Sequence, residues 1–244
     1  MLRPRFFTGR PLRRTRAKLE LEGEAARHIA RTLRMRVGER LCLFDGGGQE
    51  AAATITAIAR DSVSVDCEAA LAVDRESPLS VELAIAVSRG ERMDTVVQKA
   101  TELGVARLRP LLSERVGVRL DPARWQKKHR HWQRVAISAC EQCGRNRLPQ
   151  IDPPTALAAL LAEPLHCELA LLLHPGGGAG QTLPERCRSL RLLVGPEGGF
   201  SDDEVTAALA AGYRPLQLGP RILRTETAPL AALSLAQARW GDLR

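Results

Sequence analysis

Apolar residues change their period along this chain near residue 75. Before that point they fall in short alternating runs: Leu41 and Leu43 with Phe44, then residues 51–58 around Ile55, then Val63 and Val65 before Cys67. Alternation of period two over so few residues predicts strands with one buried face, and Asp45-Gly46-Gly47-Gly48 supplies a turn between two of them. Residues 24–33 suit a short helix. Short strands, glycine turns and little helix predict a small β-barrel over residues 1–73. Polar residues ending at Pro78 mark the boundary.

From residue 79 onward strand and helix patterns alternate. Leu79, Val81, Leu83, Ile85 and Val87 read as a strand. Met93, Val96, Val97, Ala100 and Leu103 then fall on one helical face, with Gly104 placed to end the helix. Residues 105–112 give the next strand. Asp121-Pro122 predicts the start of a long helix whose face runs through Trp125, Trp132, Ala136, Ala139 and Cys143. Apolar runs at 169–173, 192–194 and 216–218 suit parallel strands buried on both sides. Ser201 and Glu204 form a capping box for a helix reaching Ala211, and residues 226–240 make a final helix with Glu226 as its cap. This alternation over 79–244 predicts an α/β domain with a largely parallel sheet.

Charge narrows the partner. Residues 1–40 hold twelve Arg and Lys against four Glu, and the remaining 204 residues carry as many acids as bases. A second basic block, 115–147, has nine cations against Asp121 and Glu141. Two basic blocks on a neutral remainder read as a footprint for a polyanion, the alternative being an arginine-rich solvated surface. Only eight aromatic residues argue against a single-strand stacking platform. No apolar run reaches about 18 residues, so no membrane span is expected, and no apolar stretch follows the basic N-terminus to make a secretory signal. Six scattered cysteines, Cys140 and Cys143 among them, fit packing in a reducing, cytoplasmic setting; no metal site is expected from one C-x-x-C.

Phosphate-loop, dinucleotide, H-E-x-x-H and G-x-S-x-G signatures are absent, although Gly176 to Gly180 form a glycine-rich loop. Three Gly/Pro turns remain, each after a predicted strand: 172–175, 194–200 and 218–227. Such turns present main-chain N–H and C=O groups to a ligand at the strand ends of an open α/β sheet.

Two of these turns carry a family resemblance. Gly195-Pro-Glu-Gly-Gly-Phe-Ser201 with Glu204, and Leu218-Gly-Pro-Arg-Ile-Leu-Arg-Thr-Glu-Thr-Ala228, resemble the cofactor motifs of the SPOUT methyltransferases, and most closely the small-subunit ribosomal RNA methyltransferase E family. Arg3-Pro-Arg-Phe-Phe7, His28-Ile29 with Leu33 to Gly38, Gln98 to Val105 and Glu141 to Pro149 extend the similarity over most of the chain. Cys143 stands where a small residue such as serine is expected.

The resemblance implies a trefoil-knotted, Rossmann-like SPOUT domain and a PUA-like barrel that grips RNA. It implies a homodimer that binds S-adenosylmethionine and methylates N3 of one uridine in 16S rRNA of the small ribosomal subunit, without DNA or membrane as partner. Cofactor contacts are then expected from Leu172, Leu173 and His174; from Val194, Gly195, Pro196, Glu197, Gly198 and Gly199; and from Leu218, Gly219, Ile222, Leu223, Arg224, Thr227 and Ala228. RNA contacts are expected from Arg3, Arg5, Arg10, Arg34, Arg36, Arg145, Asn146 and Arg147.

Methylating uracil N3 requires loss of an imide proton, so an arginine near O2 or O4 has a role: Arg145, Arg147 and Arg224 are candidates because they sit in Gly- or Pro-bounded loops. Glu197 is a candidate proton acceptor or, equally, a brace for its loop. Other readings stay open: ribose 2′-hydroxyl methylation, a non-catalytic RNA-binding assembly factor, or a small-molecule-binding α/β protein.

Overall fold

The computed structural model describes residues 3–88, 90–117, 122–177 and 182–243. Contacts divide the chain into two units, Met1–Glu76 with Ile137–Leu148, and Ser77–Ala136 with Pro149–Arg244.

The first unit is built on β1 (Arg5–Phe7), β2 (Ala17–Glu22), β3 (Arg40–Phe44), β4 (Gln49–Ile58), β5 (Ser62–Cys67) and β6 (Leu71–Ala72). They form one sheet in the order β1-β3-β4-β5-β2, with β6 beside β4. Only β1 with β3 is parallel. The ladders given by the described residues leave β1 and β2 at the two ends of this path. Alternation delivers the buried face: Leu41, Leu43, Ala51, Ala53, Ile55, Val63 and Val65 pack with Phe6 and Ile29. A register shift between Ile55 and Ala57 interrupts the alternation, and the strand runs on exposed to Ile58. The expected helix is a short α1 (Gly23–Arg27) continuing into a π-helical turn, His28–Thr32.

The second unit carries β7 (Ser80–Ala86), β8 (Arg107–Leu112), β9 (Gln150–Ile151), β10 (Thr155–Ala156), β11 (Leu169–Leu173), β12 (Ser189–Val194) and β13 (Arg214–Leu216). Every ladder among them is parallel, in the order β10-β8-β7-β12-β11-β13 with β9 beside β8. The central strands β7, β8, β11 and β12 are buried on both faces, as continuous apolar runs require. Val81, Leu83, Ile85, Leu192 and Val194 face one layer, formed with α2 (Arg92–Glu102), α3 (Pro122–Cys143) and α6 (Thr227–Trp240). Ala84, Leu172 and Leu193 face the other, with α4 (Leu157–Ala162) and α5 (Asp202–Ala210).

Local expectations meet the structure in particular places. Met93, Val96, Val97 and Ala100 are buried as the helical face requires, Leu103 is half-buried, and Gly104 ends α2 at φ +80°. Ser201 and Glu204 form both bonds of the capping box. Asp121, the expected cap of α3, and residues 178–180 of the glycine-rich loop lie outside the described residues. The strand expected over 216–218 is displaced: it runs Arg214–Leu216, its last bond to β11 being from the His174 N–H to the Leu216 carbonyl at 3.1 Å, and Gln217 and Leu218 belong to the loop. Glu226 occupies the N-cap position of α6 but makes no capping bond with its side chain. Its carboxylate sits instead 4.0 Å from the guanidinium of Arg92 and 4.0 Å from that of Arg224.

Candidate active site

Three neighbouring parallel strands, in the order β12-β11-β13, end on the same edge of the second unit, and each hands the chain to one of the Gly/Pro turns. The turns converge on a cavity of about 650 Å³. That lies within the roughly 300–1,000 Å³ of pockets that hold drug-sized ligands. Leu173, His174, Val194, Gly195, Pro196, Glu197, Gly199, Leu218, Gly219, Ile222, Leu223, Arg224 and Ala228 line it. Three expected contacts do not: Leu172 is fully buried in the sheet's core, Gly198 turns its carbonyl to Arg115, and Thr227 lines an adjacent apolar groove.

The 194–200 loop owes its shape to steric exclusion and to a brace. A Cβ on Gly195 would lie 3.2 Å from the Phe200 ring and 3.3 Å from the Phe200 nitrogen, so any side chain there requires Phe200 to give by a few tenths of an ångström. Gly199, at φ +69°, donates its N–H to the Pro196 carbonyl at 2.8 Å and closes the turn. Arg115 donates to the Gly198 and Phe200 carbonyls at 2.9 and 3.3 Å. The Glu204 carboxylate accepts from Ser201 N–H within the capping box and also from Glu114 N–H, at 3.0 and 2.8 Å.

The 217–224 loop is organised differently. Gly219 takes φ +72°, and the Gln217 side-chain amide donates to its carbonyl at 3.0 Å. The main-chain N–H groups of Leu218, Ile222 and Leu223 make no hydrogen bond among the described residues. Ile222 is 85% exposed. Unbonded donors beside apolar side chains are what a loop offers to a planar, polar-edged ligand.

Sequence reasoning missed Arg92. It begins α2, lines the cavity, and donates to Glu197 Oε1 at 2.7 Å while lying 4.0 Å from Glu226. One side chain thus joins the starts of two helices to the glycine loop. A signal was present, since a cation in the first turn of a helix opposes the helix dipole and calls for another reason to be there. Arg224 at this rim is exposed, with 80% of its side chain accessible.

The remaining candidates belong to the first unit. Arg145 is 5% exposed, and its guanidinium is held by the Glu76 carboxylate. Asn146 donates to the Val73 carbonyl at 2.9 Å and accepts from Arg5, whose guanidinium also binds Glu50 at 2.9 Å. Arg75 binds the same carboxylate at 2.6 and 3.0 Å. The Arg75 hydrogen bonds, with those of Arg5 and Asn146, pull the Glu50 carboxyl down to about 2 against the cost of burial. Arg147 is exposed, and its guanidinium lies over Gly48, where a Cβ would approach within 3.1 Å. Arg3, Arg10, Arg34 and Arg36 are also exposed. The RNA candidates therefore divide into buried or half-buried members of a polar network and surface cations.

Residues 75–237 match the model of an RNA methyltransferase domain, and residues 21–66 that of an RNA methyltransferase PUA domain. Ribosomal RNA small subunit methyltransferase E of Buchnera aphidicola is 34% identical over 226 residues, 92% of each chain. A methyltransferase from Legionella pneumophila, solved in complex with bound S-adenosylmethionine, superposes with TM-score 0.94 at 42% identity, covering all of both chains. Ribosomal RNA small subunit methyltransferase E from Neisseria gonorrhoeae, solved bound to S-adenosylmethionine, gives TM-score 0.89 at 35% identity, with 99% of this chain and 100% of that one covered. With its motif loops gathered on one cavity and both domain models matched, this chain belongs to the ribosomal RNA small subunit methyltransferase E family.

Proposed function

We propose that this chain transfers a methyl group from S-adenosylmethionine to N3 of one uridine in the 16S rRNA of the small ribosomal subunit. The observation that carries the reading is the convergence of three strand-end loops on one cavity with unbonded main-chain donors and an exposed arginine at its rim. The residues fit the cofactor: Leu173, Val194, Leu218 and Leu223 offer apolar surface for an adenine face, and the main-chain N–H groups of Leu218, Ile222 and Leu223 suit its polar edge. When bound, S-adenosylmethionine supplies a methyl group made electrophilic by its sulfonium.

The chain's own residues then supply placement and charge. Loss of the N3 proton leaves negative charge spread over O2 and O4 of uracil, and a cation beside them favours that anion. We assign this role to Arg224, whose nearest carboxylate, Glu226, is 4.0 Å away and leaves its guanidinium free to turn towards substrate. Glu197 braces the glycine loop through Arg92, and proton acceptance by it is the alternative assignment. Arg145 acts through the loop it fixes: its pairing with Glu76 holds residues 144–148, from which Arg147 projects.

For the whole enzyme, the reading includes a trefoil knot in the carboxy-terminal segment, a PUA-like first unit gripping RNA through its exposed arginines, cytoplasmic residence and a homodimer. An apolar groove of about 750 Å³ beside α6, where Leu235 is 62% exposed, supports the last. Titration calorimetry with S-adenosylmethionine tests the pocket. Saturable binding by the parent chain and none by Arg92→Glu is expected; full affinity in that variant contradicts the assignment.

A further inference from the structure

We infer that the exposed face of α3 in the second unit is a phosphate-contacting surface for the rRNA substrate, centred on Lys127, Arg130 and Arg134. The inference rests on the RNA methyltransferase reading and adds a contact surface outside the first unit. These three cations are exposed and recur at helical spacing, so they share one stripe about 10 Å long. A B-form strand carries one phosphate per 3.4 Å of axis and A-form RNA spaces them no more widely, so the stripe spans about three.

Two observations separate this stripe from an ordinary solvated face. First, none of the three side chains makes a hydrogen bond or ion pair among the described residues; those of Arg186, Arg188 and Arg221 make none either but lie in loops, whereas α3 sets three such cations along one helix face. Second, the arrangement opposes the stability of its own helix. The i,i+3 pair Lys127/Arg130 and the i,i+4 pair Arg130/Arg134 are like-charged, each costing about 0.2–0.5 kcal/mol, and the first turn of α3 has no acid. A local rule broken on a rigid element points to a partner that supplies the missing charge. The tryptophans of α3 pack towards the core, so this face holds cations without aromatic side chains between them and suits phosphates better than bases.

The test is a filter-binding titration of 16S rRNA over a salt series, using the full chain and the triple variant Lys127→Gln/Arg130→Gln/Arg134→Gln. The variant should bind at least about tenfold more weakly at low salt, and the slope of log affinity against log salt should shrink by about 2–3. Its melting temperature, its affinity for S-adenosylmethionine and its turnover at saturating RNA should match the parent. Arg186→Gln/Arg188→Gln, which removes exposed charge elsewhere on the unit, should change the slope by less than one. Equal slopes and affinities for triple variant and parent overturn the proposal and leave a solvated helix face. Equal losses in the triple variant and the Arg186/Arg188 control also overturn it, as an effect of net charge. A parent chain that binds S-adenosylmethionine but not rRNA overturns the RNA reading itself, which is a distinguishable failure.

Discussion

Gly195 shows how a single residue type was readable before the fold was known. A glycine flanked by an apolar strand and a proline signals a turn that a side chain would spoil, and here the spoiling contact is the Phe200 ring at 3.2 Å. Gly195→Val should leave the chain folded but weaken S-adenosylmethionine binding by about tenfold or more, since the Cβ alone displaces Phe200 by a few tenths of an ångström and the two γ-methyls press further on the pocket loop. Calorimetry checks this, and unchanged affinity would remove Gly195 from the site. Arg92 was less legible, because its role depends on Glu197 and Glu226, which lie more than a hundred positions away in sequence. Glu50 carries a pH signature of the same long-range kind. Its carboxyl is lowered from 4.5 to about 2, so its stabilising contribution is complete above pH 4.5 and is lost as pH falls from there towards 2. The full span corresponds to roughly 3 kcal/mol. Acid unfolding of Glu50→Gln should be correspondingly flatter over that window, and a parent-like pH profile would assign the acid sensitivity to other groups.

At the scale of elements, legibility followed locality. The face of α2 and the capping box of α5 depend on residues three or four apart, so periodicity and capping rules found them. Ser201→Ala should cost about 1 kcal/mol and lower the melting temperature by roughly 2–4 °C, readable by calorimetric melting. No change would mean that Glu204, bonded also to Glu114, holds the loop alone. Misplaced features were those set by tertiary partners. The short strand β13 stops at Leu216, where its ladder with β11 ends opposite Leu173. Glu226 leaves its capping role because two arginines compete for its carboxylate. The register shift in β4 had no sequence signal, since Thr56 and Ala57 are ordinary strand residues.

For the whole molecule, composition and motifs together carried the class of chemistry, while the division of labour among arginines had to come from the structure. Arg5, Arg145 and Asn146 sit in motif segments that resemble RNA contacts, yet the fold holds them, Arg5 half-buried and the other two buried, in a network with Glu50 and Glu76. Removing Arg145 leaves Glu76 without its partner, and breaking such a buried pair costs about 3–5 kcal/mol. Arg145→Ala should therefore lower stability and abolish methylation while sparing cofactor affinity; full turnover in that variant would refute the loop-fixing role. The most direct test of the central claim is nucleoside mass spectrometry of 16S rRNA, purified from cells lacking this protein and incubated with the chain and S-adenosylmethionine. The account predicts N3-methyluridine appearing once per rRNA molecule, and only with the active chain. A ribose-methylated nucleoside, or no methylated product from a chain that binds S-adenosylmethionine, would contradict it.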